Sequence, residues 1–416
     1  MGAEGSPPAW LPASVGRAGR KATAADALAL RSGAAWSSLS TSLGAAVGLL
    51  HGDDLPEALR GDAAAYRHLL ILLALGIDEA LRASDPYDPA ITPANVDDVL
   101  RWGMDCPDAA YSGAPIRGNA TYVVRGTRGS ARYVGFQVMS GIEASANAVV
   151  DELDIGDDGR FELVLSAAEH AGNWMPLTDR ASTLVIRQFF YDWAVEEPAR
   201  LTIECVSGPP PSSAATDHGP GPDAATGAQL VALGAFVEES LRFWSGIEDM
   251  GRSQGLNVFR APQARTEMGA AAESITVWGS WDLADDEALI VEVTPPEALY
   301  WSISLGDQWW KTIDYARHQS SLNGHQAVLV EDGVFRAVVA HEDPGVANWL
   351  DTGGHRRGPV IMRYIRAGGA PVPRTEVVPF DRIDDALPPG VRRSTPEERA
   401  AALAGRRAGV RRRFGR

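Results

Sequence analysis

The chain has 416 residues, 45% of them apolar and 22% charged, which is the balance of a folded globular protein and excludes wholesale disorder, collagen and a coiled-coil rod. The formal net charge of −16 is uneven: residues 391–416 hold nine Arg and two Glu, so this tail stands at +7 and the rest of the chain at −23. A body that acidic repels nucleic acid and anionic membranes, so no nucleic-acid partner is expected. The most apolar run, Leu69–Leu75, is far short of the roughly 18 residues of a membrane span, and two cysteines, Cys106 and Cys205, make neither a disulfide framework nor a four-cysteine zinc site. With no basic stretch and apolar core at the start, a reduced, cytoplasmic setting is expected.

Residues 1–20, rich in Gly, Pro and Ala, read as a flexible N-terminus. Residues 21–85 read as helical, with Asp53-Asp54-Leu55-Pro56 as a helix start and Leu69–Ala80 as a helix apolar on most faces, hence buried. Asp85-Pro86-Tyr87-Asp88-Pro89 ends that region, because proline lacks the backbone donor and restricts its neighbour. The period then falls to two. Strands are expected around Thr121–Arg125, Ala131–Met139, Leu184–Phe190 and Ala199–Cys205, and Asp157-Asp158-Gly159 marks a hairpin between Leu153–Ile155 and Phe161–Leu165. Residues 208–226 read as a flexible loop, and Leu230, Leu233, Val237, Leu241 and Trp244 place one stripe on a helix inserted over 228–250. Strands resume at Ala272–Trp278, Leu289–Val293 and Leu299–Leu305, where Trp301, Ile303 and Leu305 share one face and Ser302 and Ser304 the other. A hairpin turns at Glu331-Asp332-Gly333, and Val360–Ile365 closes the β region. No internal repeat of fixed period is apparent. Short strands with frequent turns predict a mainly β fold with added helices: a jelly-roll-like antiparallel sandwich over 86–388, with the two strand groups able to form one continuous sandwich. Residues 389–416 predict a basic C-terminal helix packed on the acidic body, with Thr395, Pro396 and Glu398 forming its capped start.

Several phrases resemble one family. They are Trp102-Gly103-Met104-Asp105-Cys106-Pro107-Asp108 with Tyr111, Ile116-Arg117-Gly118-Asn119, Arg187-Gln188-Phe189-Phe190-Tyr191-Asp192-Trp193, Tyr300–Leu305 running to Trp309-Trp310, Ser320-Ser321-Leu322-Asn323, and Asp343-Pro344-Gly345 followed by Asn348–His355. Together, from about Pro86 to Pro388, they look like the bacterial family catalogued as domain of unknown function 1214. The resemblance implies a jelly-roll-like β sandwich and no established reaction. Such chains often carry a companion β domain upstream; here a helical region is expected in its place.

Three clusters carry candidate chemistry. Asp343–His355, with His341 just before it, offers Asp343, Asp351, His341 and His355 as acid, base or ligand candidates; Asp343-Pro344-Gly345 is equally good turn chemistry. His341 and His355 fit no familiar zinc spacing, so neither a metal nor a cofactor is assigned. Asp307–Asn323 sets Trp309 and Trp310 before Lys311 and Asp314: paired Trp beside polar groups suits a flat ligand, or else a core lid, and a desolvated Lys311 suits a Schiff base. Only two lysines exist, Lys21 and Lys311. Arg187, inside an apolar strand, either faces outward or is an internal anion binder. The signatures G-x-S-x-G, Walker loop, G-x-G-x-x-G and H-E-x-x-H are absent.

These residues predict an enzyme acting on a small organic molecule, such as a sugar, lipid or terpenoid, in a Trp-lined cleft. Asp343, Asp351, His341 and Asp314 are its catalytic candidates. Trp309, Trp310, Trp349, Arg187, Lys311 and His355 are its binding candidates. The alternative is a non-catalytic, carbohydrate- or small-molecule-binding sandwich with the three Trp as a stacking platform and Arg187 as an anchor.

Overall fold

The computed structural model describes residues 22–52, 60–82, 85–93, 96–140, 143–209, 221–264, 270–271 and 273–416. The expectations for residues 1–20, for Asp53-Asp54-Leu55-Pro56 and for 210–220 lie outside the described residues.

Four helices form one layer: α1 (Ala24–Arg31), α2 (Ala34–Leu50), α3 (Ala63–Arg82) and the long α4 (Pro222–Ser253). Thr23 and Asp26 cap α1 reciprocally. The inserted helix is longer than expected at both ends. Pro222–Thr226 belong to it rather than to a loop, since proline in a first turn supplies a helical φ and gives up a donor that would be orphaned there. All three N-terminal helices pack on α4. The stripe Leu233, Val237 and Leu241 is buried against Leu39, Leu50, Leu69 and Leu72. Gly227 permits the closest approach: a Cβ there would stand 2.2 Å from the Asp26 carbonyl oxygen.

The strands fall into two groups. The first comprises β1 (Thr92–Pro93), β2 (Ala109–Pro115), β3 (Thr121–Thr127), β4 (Tyr133–Ser140), β5 (Glu143–Val149), β6 (Arg160–Ser166), β7 (Trp174–Pro176), β8 (Thr183–Phe189) and β9 (Arg200–Ser207). The second, after α4, comprises β10 (Val258–Phe259), β11 (Ser274–Asp282), β12 (Glu287–Val293), β13 (Ala298–Leu305), β14 (Ser321–Asn323), β15 (Phe335–Ala340), β16 (Trp349–Asp351), β17 (Arg357–Ala367) and β18 (Arg374–Pro379). Two helices follow: the short α5 (Ile383–Ala386), then the terminal helix α6 (Pro396–Arg413). The first group makes an inner sheet, β1-β2-β8-β4-β5, and an outer sheet, β7-β6-β3-β9. The second makes an inner sheet, β10-β11-β17-β13-β14, and an outer sheet, β16-β15-β12-β18. Successive strands switch between facing sheets in the jelly-roll manner, and among the described residues no sheet contains strands of both groups. The strands therefore build two sheet pairs rather than one continuous sandwich, each with its own core.

The two sheet orders are the same, strand for strand. Registers match as well: β6 and β7 pair in parallel with Val164 opposite Trp174, and β15 and β16 pair in parallel with Val338 opposite Trp349. The turn Asp158-Gly159 before Phe161 has its counterpart in Asp332-Gly333 before Phe335. On the outer sheets Arg125 meets Glu162 at 2.5 Å, and at the equivalent place Glu292 meets Arg336 at 2.5 Å with the signs exchanged. The chain thus contains a structural repeat, contrary to the sequence reading. A β unit does precede the second sandwich, and the helices are additional to it rather than its replacement.

The sandwiches pack through equivalent inner-sheet faces. Tyr133 and Phe189 of the first meet Tyr300 and Ile365 of the second, with Phe189 and Tyr300 ring centroids 5.1 Å apart. Helix α6 lies across the join, with the expected capping box at Thr395 and Glu398. Arg399 and Arg406 are buried, while Arg411 is exposed. Arg406 donates to Tyr315 O (2.9 Å), Ser321 O (3.0 Å) and Ser321 Oγ (2.6 Å), and Arg413 donates to Pro107 O (2.5 Å). Part of the basic tail is thereby bonded to the protein's own body.

Candidate functional site

The loop 306–320 between β13 and β14 carries the most unusual chemistry. Lys311 is 5% exposed and forms an ion pair with Asp307, itself 1% exposed. The turn closes through Asp307 N–H to Lys311 O (2.9 Å) and Trp310 N–H to Asp307 O (3.0 Å). Trp310 has φ 55°, a left-handed conformation that costs a bulky residue about 1 kcal/mol or more and that clusters at functional sites. It is held by three contacts: its carbonyl accepts from Met104 N–H (2.7 Å), its indole N–H donates to Glu248 Oε2 of α4 (3.0 Å), and its ring stacks on Trp244 at 5.3 Å. Met104, in the loop before β2, is also left-handed (φ 51°), and its carbonyl accepts from buried Arg363. Two strained loops are therefore locked to each other beside Lys311.

Helix α3 covers this loop. His68, 1% exposed, stacks on Trp309 at 5.7 Å, and among the described residues neither of its ring nitrogens has a hydrogen-bond partner. The Trp309 indole N–H and the Arg101 Nε and Nη1 groups are likewise buried without hydrogen-bond partners; among the described residues the one ion pair of Arg101 is with Asp314, at 3.9 Å. Burial, with the Arg101 and Arg67 charges, pushes the Lys311 ammonium down to about 7. Burial and the Lys311 charge hold His68 well below its usual range and His355 at about 4. Burial raises Asp105 to about 6, although Thr312 donates to it at 2.8 Å. Glu248 is raised to about 7 by burial, with the Trp310 bond and Arg252 opposing. Lys311 and both histidines are thus biased toward their neutral forms, and Lys311 alone is brought close to neutral pH, where proton transfer is most efficient.

Of the sequence-predicted residues, Lys311, Trp309 and Trp310 lie in this loop, Asp314 meets it through Arg101, and His355 feels the Lys311 charge; Asp351 accepts from His318 at 2.7 Å, one step further out. Burial works against the Asp314 carboxylate, but Arg317 (2.7 Å) and Arg101 win and hold it below its usual range. His341 sits behind the 351–355 turn, bonded to Thr352 Oγ1 (2.9 Å). Asp343 lies elsewhere: it closes its own turn on Gly345 N–H (2.9 Å) and pairs with Arg399 of α6 at 2.9 Å. Trp309, Trp310 and Trp349 do not make one stacking platform. Each is under 10% exposed and each belongs to a different core, Trp349 giving its indole N–H to Ala340 O (3.0 Å). Arg187 does not face outward to solvent; it bonds to Gln137 on the inner-sheet face, the place Arg363 and Ser304 occupy in the second sandwich.

Sequence reasoning missed His68, Arg67 and Arg101, because no local pattern ties a helix near residue 68 to a loop near 311. The family-like phrase around Asp105 was legible, but not its role as the partner of the Lys311 loop. Its Asp108 is fully buried and accepts from Tyr300 (2.6 Å), Trp193 (2.7 Å) and Asn323 (2.7 Å), cross-linking the sandwiches. Burial raises the Cys106 thiol to about 11, so it stays protonated. Among the described residues no group of three or more His, Cys, Asp or Glu side chains is arranged to hold a metal, and no helix is long and apolar enough to cross a membrane. A cleft beside α6 has its charges paired off, His325 with Asp192 (3.5 Å) and Arg392 with Glu398 (3.4 Å).

A crystal structure of an uncharacterised protein from Burkholderia cenocepacia is similar, at 28% identity over 86% of this chain and 100% of that one, with a TM-score of 0.77. A crystal structure of a Vibrio parahaemolyticus protein matches at 11% identity, over 80% of this chain and 100% of that one, with a TM-score of 0.43. No curated protein matches. The family model described as protein of unknown function (DUF1214) matches residues 287–368. This stretch carries the Lys311 loop, the Asp351–His355 turn and β17, and it includes the phrases around Trp301 and Asn348.

Proposed function

We propose that the protein is an enzyme that acts on a small organic molecule by acid–base catalysis at the Lys311–Asp307 pair. One observation carries the reading: an ammonium–carboxylate pair is shut away from solvent in a strained loop, beneath an imidazole with no hydrogen-bond partner among the described residues. A buried ion pair is a poor stabiliser, and a hydrophobic replacement of similar volume often serves the fold as well. Strain at Trp310 and Met104 adds to that cost. Such an arrangement suits chemistry: Lys311, once neutral, takes a proton from the substrate, and Asp307 stabilises the ammonium that results. The ammonium so formed returns the same proton to another atom of the substrate, and His68, kept neutral, offers that substrate a hydrogen bond through its ring N–H.

The test is turnover in an extract of small molecules from the protein's host, followed by untargeted mass spectrometry. Wild type is expected to consume at least one compound. Lys311→Met, which keeps the stem and removes the amine, is expected to slow this by roughly 10²-fold or more while still melting cooperatively. Equal consumption by both proteins, or none by wild type, overturns the proposal.

A further inference from the structure

The hydrogen-bonding inventory of the Lys311 centre is lopsided. Arg101 offers Nε–H and Nη1–H groups, Trp309 its indole N–H, and neutral His68 one N–H, all buried and without hydrogen-bond partners among the described residues. Lys311 has two further N–H groups beyond the one aimed at Asp307. Against these stand one His68 nitrogen and Asp307 Oδ2, which Lys311 already engages; of the other carboxylates that act on these cations, Asp105 accepts from Thr312, Asp314 is 3.9 Å from Arg101 and bonded to Arg317, and Asp62 accepts from Ala65 N–H. Buried donors without partners are costly, and native proteins leave few of them. The site is built from side chains that are closed off: His68 is 1% exposed, Trp309 2%, and the Arg101 side chain 11%. They come from three parts of the chain, α3, the loop before β2 and the 306–320 loop, and only folding brings them together.

We infer that this centre takes a small organic oxyanion, a carboxylate or a phosphate ester, with Arg101, Trp309 and His68 as its donors and Lys311 beside the reacting carbon or oxygen. This deepens the reading of Lys311 as the proton-transferring residue and rests on it. An acceptor-rich group complements the donor excess, whereas a sugar hydroxyl would bring another donor for each acceptor, and an apolar ligand would leave every donor orphaned. The oxyanion also neutralises the Arg101 charge, which otherwise disfavours a proton on Lys311. Binding is therefore expected to move the lysine's titration upward and couple substrate entry to its protonation.

The chain's two lysines make this directly readable. In full-length protein carrying 13C-labelled lysine, two Cε signals are expected, one from Lys21 and one from Lys311. Inorganic phosphate and succinate are added separately, with sodium chloride at equal ionic strength as the control. The expected result is a saturable shift of the Lys311 signal with at least one oxyanion, a titration midpoint that moves up on binding, and no change at Lys21. Response to phosphate alone assigns phosphate esters, to succinate alone carboxylic acids, and to both the oxyanion in general. Arg101→Gln is expected to weaken binding by about tenfold or more, the equivalent of one charged hydrogen bond. If Lys311 titrates far below Lys21 yet no oxyanion moves it, the inference fails and the acid–base reading stands. If oxyanions bind while Lys311 titrates like Lys21, oxyanion binding at this centre stands, whereas the acid–base reading and the place of Lys311 beside the reacting atom fail. A response to sodium chloride equal to that of both oxyanions also overturns it.

Discussion

Lys311 should leave a signature in the stability of the protein before any substrate is known. Its ammonium ionises near 7 in the folded protein and near 10.5 in an unfolded chain. Between those values the unfolded state binds the extra proton, so stability rises with pH; below about 7 both states are protonated and the full burial cost is present. The slope is at most about 1.4 kcal/mol per pH unit, which amounts to about 2 kcal/mol between pH 7.5 and 9. Asp307 favours the charged form and draws the gain below that ceiling. The window is clean of the other large shifts. The raised Glu248 and Asp105 titrate at about 7 and below, His355 at about 4, and the Cys106 thiol departs only above its ordinary value of 9. Urea unfolding followed by tryptophan fluorescence, in wild type and Lys311→Met, isolates the residue, because titrations common to both cancel in the difference. Wild type should gain on the variant steadily from pH 7.5 to 9. A difference that stays constant across this range would mean that Lys311 keeps its proton there, and the argument for a neutral amine at the centre would be wrong.

Two further outcomes follow from the packing of α6. Arg406→Met strands Tyr315 O, Ser321 O and Ser321 Oγ in the interior and should cost about 3 kcal/mol or more, whereas exposed Arg411→Met should stay within about 0.5 kcal/mol; equal melting temperatures would show that α6 does not clasp the body. Asp343→Asn removes the charge facing the nearly buried Arg399 and should cost about 1–3 kcal/mol, with turnover per folded molecule unchanged. Turnover lost at an unchanged melting temperature would return Asp343 to the chemistry.

Local patterns were legible wherever they record burial. The α4 stripe Leu233, Val237 and Leu241 is buried, and Trp301, Ile303 and Leu305 fill the second core. Ser302 and Ser304 did alternate to the other face, yet they are fully buried too, since that face is covered and Ser304 accepts from Arg363 at 3.0 Å. Alternation reports which residues share a face and is silent on what covers it. The candidate site was half legible. Lys311, Asp314, Asp351 and His355 lie in one stretch of sequence, whereas Arg67, His68 and Arg101 reach them only through the packing of α3 and of the loop before β2. The repeat was hidden because the spacing between equivalents is not constant, as Tyr133/Tyr300, Phe161/Phe335 and Arg187/Arg363 show.

That drift in spacing also marks where the two sandwiches differ. Two residues, 141–142, separate β4 from β5, whereas the equivalent strands β13 and β14 are separated by the whole of 306–320. The inner-sheet faces are otherwise alike: each presents a tyrosine, Tyr133 or Tyr300, and a central arginine bonded to the neighbouring strand, Arg187 to Gln137 and Arg363 to Ser304. Arg363 is the more deeply buried of the two. Arg363 also reaches the carbonyl of strained Met104 and so braces the Lys311 loop, while no such loop exists for Arg187 to brace. Arg187 is best understood as the scaffold's version of a residue that the second sandwich has recruited. A duplicated framework that is nearly self-complementary on its inner faces needs no ion pair at Asp307 and no left-handed Trp310 in order to fold, because the first sandwich manages without either. What the second copy carries beyond the first, together with the helices laid over it, is where function should be sought.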